Sequence, residues 1–435
     1  MSRAVDEQIV LGRTYAGTPR NVERRSLYTN RKMLPVSLPV GGEIFGVARE
    51  SHLITVAPTG SGKGRSVIIP NLLSYPGPVV VTDPKGENYA VTARARRAMG
   101  HTVLRLDPFG VIDKESDSLN PLDLFLLDGA DIESDAQMLA DLLSLRKSYN
   151  DFWENSAFGL LGGVIGYVAA VGASNPSDRT FTKLVTTLNS DDVVYNLAVV
   201  LDTVKKQLPA MAHMEISAFL QKADKERSGV LSTTTAYMKA LMSANVLKTL
   251  DSSTVPLADI IDGRPLSIYL IIPPAKLRSH YALLRLWIGT ILHCVTSRRV
   301  IPQHRTLFIL DECAQLGPFS SLETAITLCR GYGLQVWTFW QDLSQIRSLY
   351  PANWPTMINN CRVVQVFGAK NYSVATEAAT LLGIEPDDIR TLEDDDQIVS
   401  LDGECSKIKR IDYLTDTLYS GMYDENPLYR GRPRG

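Results

Sequence analysis

The chain has 435 residues, 45% apolar and 21% charged, enough apolar material for a sizeable core and for about two domains. A formal net charge of −2 and a pI near 6.3 exclude a globally basic nucleic-acid binder, so any contact with DNA has to come from a local basic patch. Five cysteines, odd in number and without metal-ligand spacing, argue against a disulfide scaffold and suit a reducing cytosol.

Residues 1–42 form a polar arm whose cations are Arg3, Arg13, Arg20, Arg24, Arg25, Arg31 and Lys32. It has no apolar run long enough to cross a bilayer and no signal-peptide core. A solvated tail is the expectation, with DNA, anionic lipid or a membrane partner as the alternative contact. Leu53-Ile-Thr-Val56 then reads as a strand, Ala57-Pro-Thr-Gly-Ser-Gly-Lys63-Gly64 as a glycine-rich turn, and Arg65-Ser-Val-Ile-Ile69 as the opening of a helix. Strand, glycine turn, Lys and helix together wrap backbone N–H groups around a nucleotide's phosphates. Thr59, Gly60, Ser61, Gly62, Lys63, Gly64 and Arg65 are therefore expected to bind nucleotide. In that loop Gly60 and Gly62 permit close backbone approach, and Lys63 meets the β- and γ-phosphates. The pattern G-x-x-x-x-G-K-[ST] is broken at both ends, by Ala57 and by Gly64, which stands where the Mg²⁺-binding hydroxyl belongs. Ser61 and Ser66 are the candidates to replace it.

Pro78–Thr82 reads as a second strand, 88–99 as a helix and Thr102–Leu106 as a third strand, ending at Asp107-Pro-Phe-Gly110. Asp83-Pro-Lys-Gly-Glu87 sits at the C-terminal edge of the second strand. It serves equally as turn chemistry or as a site in which Asp83 and Glu87 orient water or Lys63 and Lys85 meets phosphate or DNA. From 131 to 250 the pattern is helical. Asp131–Leu145 is amphipathic, and Ala157–Ala173 is apolar and glycine-rich. Its marginal length predicts a buried core helix in preference to a membrane span.

Strand character returns at Leu266–Ile272, followed by a helix over 279–297. Leu307-Phe-Ile-Leu-Asp311-Glu312 is then a buried strand with two carboxylates at its C-terminal end, where α/β sheets place their ligand sites. Asp311 is expected to assist Mg²⁺ and Glu312 to polarise the attacking water. A helix over 321–329, strands Leu334–Phe339 and Arg362–Phe367, and a helix over 371–382 close the series. Gln341 ends the strand Gln335–Trp340, placed either to touch the γ-phosphate or the attacking water, or simply to satisfy a nearby loop. Arg330, at the turn Gly331-Tyr-Gly333, is either a solvated helix-end charge or a guanidinium that reaches a neighbouring subunit's γ-phosphate. Glu385, Asp387, Asp388 and Glu393 to Asp396 are expected to be a solvated acidic surface or a docking patch for basic partners. Strand–helix alternation interrupted by an all-helical block predicts an α/β sheet domain carrying an inserted helical domain.

Several of these segments occur in a recognisable order: the loop with Gly64 after its Lys, Asp83-Pro-Lys-Gly-Glu87, Ser118-Leu-Asn-Pro-Leu122, Ser228-Gly-Val-Leu-Ser-Thr233, Asp311-Glu-Cys-Ala-Gln-Leu-Gly317, and Arg330-Gly-Tyr-Gly through Gln341-Asp-Leu-Ser-Gln345. Over about residues 43–415 the chain resembles the TraG/TraD-type coupling proteins of type IV secretion and conjugation. The resemblance implies a RecA-like P-loop domain over 43–125 and 251–420, an all-helical domain over 126–250 and a C-terminal tail over 421–435. It implies ATP and Mg²⁺ as cofactors, Gln341 as a γ-phosphate sensor and Arg330 as a finger acting in trans within a homo-hexamer. The implied partners are single-stranded DNA, relaxase and relaxosome proteins, and components of the type IV secretion channel. Because the family normally begins with a transmembrane pair, the chain is expected to lack its own anchor and to work in the cytoplasm, peripherally at the inner face of the membrane. The alternative of a different class is a non-catalytic nucleotide-binding adaptor that docks relaxase or effector proteins to the channel.

Overall fold

The computed structural model describes residues 9–15, 42–47, 51–144 and 151–429. The basic arm therefore lies largely outside the described residues; of its cations only Arg13 is inside them, and residues 430–435 of the tail are also outside.

Runs of β-branched and aromatic residues between turn residues make eleven strands among the described residues. They are β1 (Ile9–Arg13), β2 (Ile44–Val47), β3 (His52–Val56), β4 (Val79–Thr82), β5 (Thr102–Leu106), β6 (Leu266–Leu270), β7 (Thr306–Leu310), β8 (Leu334–Trp340), β9 (Cys361–Phe367), β10 (Asp396–Leu401) and β11 (Glu404–Lys409). The sheet order is β2-β1-β11-β10-β9-β3-β8-β7-β4-β6-β5. From β9 through β6 the strands pair in parallel, with Val56 opposite Trp340 and Leu310 opposite Thr338. Strands β3, β4, β6, β7 and β8 are buried at every position, which is why each is predominantly apolar, with no polar face alternating along it. The α/β architecture expected from the alternation is present, with the helical block inserted in sequence between β5 and β6.

The remaining strands correct the expectation that residues 1–42 are a solvated tail, because Ile9–Arg13 is a buried strand. Strands β10, β11, β1 and β2 pair antiparallel beside β9. Asp396 corrects the reading of the acidic cluster as solvated: it is 0% exposed at the start of β10. Its carboxylate accepts from the Tyr15 hydroxyl at 2.6 Å and pairs with Lys407 at 2.7 Å and Lys409 at 2.8 Å. A buried carboxylate persists only when paired in this way, and two lysines on β11 supply the charge.

By packing, the chain divides into two compact units: Met1–Val103 with Gly263–Leu270 and Arg299–Gly435, and Leu104–Asp262 with Ile271–Arg298. The division falls inside β5. The first unit carries the other strands, together with α1 (Ile69–Ser74) and α2 (Glu87–Ala98). The second is mainly helical. It includes α3 (Ile132–Leu143), α4 (Phe152–Ser174) and the helix Pro274–Thr296. Packing explains that placement. Gly289 meets α3 so closely that a Cβ would lie 2.3 Å from Leu142, and the Trp287 indole donates to the Leu119 carbonyl at 3.3 Å. Helix α4 is long and apolar enough to cross a membrane by length and composition, and 78% of its apolar window is buried inside the protein.

Candidate nucleotide site

The glycine-rich turn leaves β3 at Ala57, whose N–H donates to the Trp340 carbonyl at 2.8 Å and ties the loop to the end of β8. Gly60 (φ 78°) and Gly62 (φ 83°) adopt the left-handed conformation that glycine takes freely. A Cβ on Gly60 or Gly64 would meet nothing within 4 Å, so the loop leaves open space of the kind a phosphate needs. A wide helical turn over Gly64–Ile68 follows and leads into α1. Ser66 Oγ donates to the Gly62 carbonyl at 2.7 Å, so that hydroxyl already tightens the loop.

The end of β7 brings the two acids beneath this loop. Lys63 Nζ lies 2.6 Å from Glu312 Oε1 and 3.2 Å from Asp311 Oδ1, and Gln341 Nε2 donates to Glu312 Oε2 at 3.0 Å. Glu312 has φ 53° and ψ 48°, a left-handed conformation that costs a non-glycine residue about 1–3 kcal/mol and is typical of functional sites. Burial opposes the Lys63 ammonium, yet Asp311 and Glu312 outweigh it and hold its pKa above the ordinary lysine value. Burial also opposes the Glu312 carboxylate, but hydrogen bonds from Lys63 and Gln341 keep its pKa below the ordinary value. At Asp311 burial wins and the pKa rises. The result is a charged base beside a more deeply buried acid, held by one lysine and one amide.

The turn chemistry expected of Asp83–Glu87 is present, and the segment also faces the site, since Asp311 acts on Asp83 and Lys85 on Glu312. Gly86 takes φ 71° at the N-cap of α2, and the buried Asp83 carboxyl accepts from the Tyr89 N–H at 2.9 Å. Burial pushes the Asp83 pKa up to about 7. The neighbouring Thr82 hydroxyl donates to the Asp311 carbonyl at 2.9 Å and ties the end of β4 to the end of β7.

Lys63, Asp311, Glu312 and Gln341 thus converge, with Thr59, Gly60, Ser61, Gly62 and Gly64 on the loop above them. Two expected residues do not join them. Arg65 is exposed, and its Nε donates to Asp412 at 2.6 Å. Arg330 precedes β8 whereas Gln341 follows it, and a strand of 7 residues spans about 20 Å, so Arg330 stands at the opposite edge of the sheet from its own loop. Sequence reasoning missed Arg410, which donates to the Ser61 carbonyl and lies 4.5 Å over the Phe367 ring. It comes from a segment 349 positions away, and no local pattern points to it.

The chain matches the model of the type IV secretory system conjugative DNA transfer family over residues 15–384. It is 27% identical over 344 residues to the type IV secretion system-coupling protein VirD4 of Bartonella quintana (strain Toulouse), covering 77% of this chain and 53% of that protein. It is 25% identical over 351 residues to the conjugal transfer protein TraG of Escherichia coli, covering 76% of this chain and 55% of that protein. The chain spans about half the length of these relatives. Among solved structures it is similar to the plasmid coupling protein TrwB in complex with the GTP analogue GDPNP, with a TM-score of 0.68, 17% identity and coverage of 94% of this chain and 96% of that one. TrwB in complex with ADP and Mg²⁺ gives a TM-score of 0.66 at 16% identity, with the same coverage, and at this identity the likeness speaks for the fold. With the family model spanning most of its length, the chain belongs to the type IV secretory system conjugative DNA transfer family, the coupling-protein family that its motifs resemble.

Proposed function

We propose that the chain is a P-loop ATPase that recruits single-stranded DNA in the relaxosome, or protein substrates, and drives them to a type IV secretion channel. The observation that carries this reading is the convergence of Lys63, Glu312 and Gln341 within 3.0 Å contacts beneath the glycine loop, with Asp311 beside them. Lys63 binds the β- and γ-phosphates, Glu312 activates water and Gln341 reports the γ-phosphate. The similar protein TrwB has been solved with a non-hydrolysable ATP analogue and with ADP and Mg²⁺, which supports ATP and Mg²⁺ here.

The residues present suit a magnesium ion. Asp311 supplies a carboxylate, and Ser61 Oγ is buried without a hydrogen-bond partner among the described residues, while Ser66 Oγ is engaged by Gly62. Asp311 and Ser61 would hold the ion, which when bound neutralises phosphate charge. Arg330, at the far edge of the sheet, completes the site of a neighbouring subunit in a homo-hexamer. The residues 43–125 and 251–420 act as the nucleotide-binding domain, residues 126–250 as the helical domain, and relaxase, relaxosome and channel proteins are the partners. The site of action is cytoplasmic, peripheral at the inner face of the membrane.

Glu312→Gln tests the reading: ATP still binds, but turnover and substrate transfer fall by about 10²-fold or more. One observation favours a second reading. Gly64 offers no hydroxyl where P-loops place a magnesium ligand. A non-catalytic adaptor that docks relaxase or effector proteins tolerates that loss, and in it Glu312→Gln leaves transfer unchanged.

A further inference from the structure

We propose that Arg410 is a positioning residue of the phosphate loop, gripping it from outside so that its backbone N–H groups face the nucleotide. This rests on the nucleotide-site reading above and adds a residue that the loop pattern does not contain. The Arg410 guanidinium donates through Nη1 to the Ser61 carbonyl and lies 4.5 Å over the Phe367 ring at the end of β9. A trans peptide is planar, so its C=O and N–H point in opposite directions. Holding the Ser61 carbonyl outward therefore aims the Gly62 N–H the other way, into the concave side of the loop. The next peptide is held in the same manner, because the Gly62 carbonyl accepts from Ser66 N at 2.9 Å and from Ser66 Oγ at 2.7 Å. That fixes the direction of the Lys63 N–H.

Gly60 and Gly62 make such holding necessary. With φ of 78° and 83° and no side chains, this stretch has the greatest backbone freedom in the site and loses the most entropy when it is ordered. An external donor that pre-orders it removes that cost from binding. The arginine is itself secured. Two positions on, Asp412 takes Arg65 in a bidentate pair, with Nε–Oδ1 at 2.6 Å, so the segment grips the loop and the turn after it. Beyond it Ile411, Tyr413 and Tyr419 pack into one cluster with Ile69 and Leu73 of α1. The C-terminal segment is thereby anchored to the helix that the loop opens, and the Arg410 contact is rigid.

The test compares Arg410→Lys, which keeps a donor for the Ser61 carbonyl, with Arg410→Met, which keeps the apolar stem over Phe367 but donates nothing. In the full chain, ATP affinity falls roughly tenfold in R410M and stays within about threefold in R410K, as loss of one charge-assisted hydrogen bond predicts. Amide exchange in residues 58–66 accelerates in R410M and not in R410K, with similar thermal melting. Equal behaviour of the two variants, or unchanged exchange in R410M, overturns the proposal. If R410M does not fold, Phe367→Leu, which removes the ring under the guanidinium, has to accelerate exchange in the same residues; no acceleration overturns it. Wild-type protein that fails to bind ATP sinks the nucleotide-site reading alone, because the exchange comparison needs no nucleotide.

Discussion

The two ends of the parallel strands carry different electrostatic arrangements. At the C-terminal edge every charge of the candidate site has a partner in the same chain: Lys63 lies between Asp311 and Glu312, and Gln341 holds the free oxygen of Glu312. At the N-terminal edge two cations lie side by side. Arg330 is exposed, Arg305 donates to the Arg330 carbonyl at 3.1 Å, and the positive charges of both act on His52. A group paired at home is held in place for chemistry, whereas a guanidinium displayed on a glycine turn is available to something outside the chain. In the proposed ring that something is the nucleotide of the next subunit, so one edge supplies the site and the other completes its neighbour's.

The strongest way to break this comparison is Arg330→Ala. If the far edge acts in trans, turnover falls about 10³-fold with nearly normal ATP binding, because a finger acts on transition-state charge. Mixing Arg330→Ala with Glu312→Gln restores turnover at interfaces that pair the intact residues. Mixed oligomers without restored activity would place Arg330 outside catalysis.

Lys63→Ala probes the near edge. It removes the charge meeting the phosphates and leaves Asp311 and Glu312 facing each other, so ATP affinity measured by calorimetry drops at least about tenfold. A folded variant with unchanged affinity refutes the nucleotide site.

His52 reports the far edge through stability. Burial first, then Arg330 and Arg305, push its pKa down to about 4, and its Nδ1 accepts from the Val336 N–H at 3.0 Å, which requires the unprotonated nitrogen. The unfolded histidine titrates near its ordinary value of about 6.5. Stability is therefore full above that value and is lost as pH falls toward 4, by on the order of 1–3 kcal/mol. His101, buried beside Arg96 and also pushed down to about 4, adds a second share. In denaturant titrations, His52→Asn flattens part of this slope; an identical slope means that His52 is not the group responsible.

The smallest expected effect lies at Gln341. Gln341→Leu removes a hydrogen bond that favours ionised Glu312, so the Glu312 pKa rises. The acid limb of kcat/KM then moves to higher pH, and an unmoved limb means that Gln341 does not hold the ionised Glu312.

How much of this was legible beforehand differs along the sheet. The parallel strands β3, β4, β7 and β8 are buried on both faces, so each announces itself as an apolar run with a turn at its end. The antiparallel hairpin of β10 and β11 is concealed because charged and polar residues interrupt its apolar ones. Strand β11 reads Glu-Cys-Ser-Lys-Ile-Lys, and β10 opens on an aspartate that only the two lysines of β11 make tolerable inside the protein. Charge in a sequence reads as surface, and only the paired partner turns it into interior.

The sequence by itself determined the chemistry at each strand end. A glycine loop with one lysine, two acids after an apolar run and a glutamine closing a strand are local patterns, set by residues within a few positions of one another. Tertiary structure decided what these ends face. The sheet order places β8 beside both β3 and β7, which brings Gln341 to Glu312 and Glu312 to Lys63. Chain direction through β8 sends Arg330 to the far edge. Arg410 reaches Ser61 from 349 positions away because the antiparallel hairpin of β10 and β11 turns the chain back toward the loop. Such contacts depend on strand pairing over long sequence separations, which no local pattern of residues encodes.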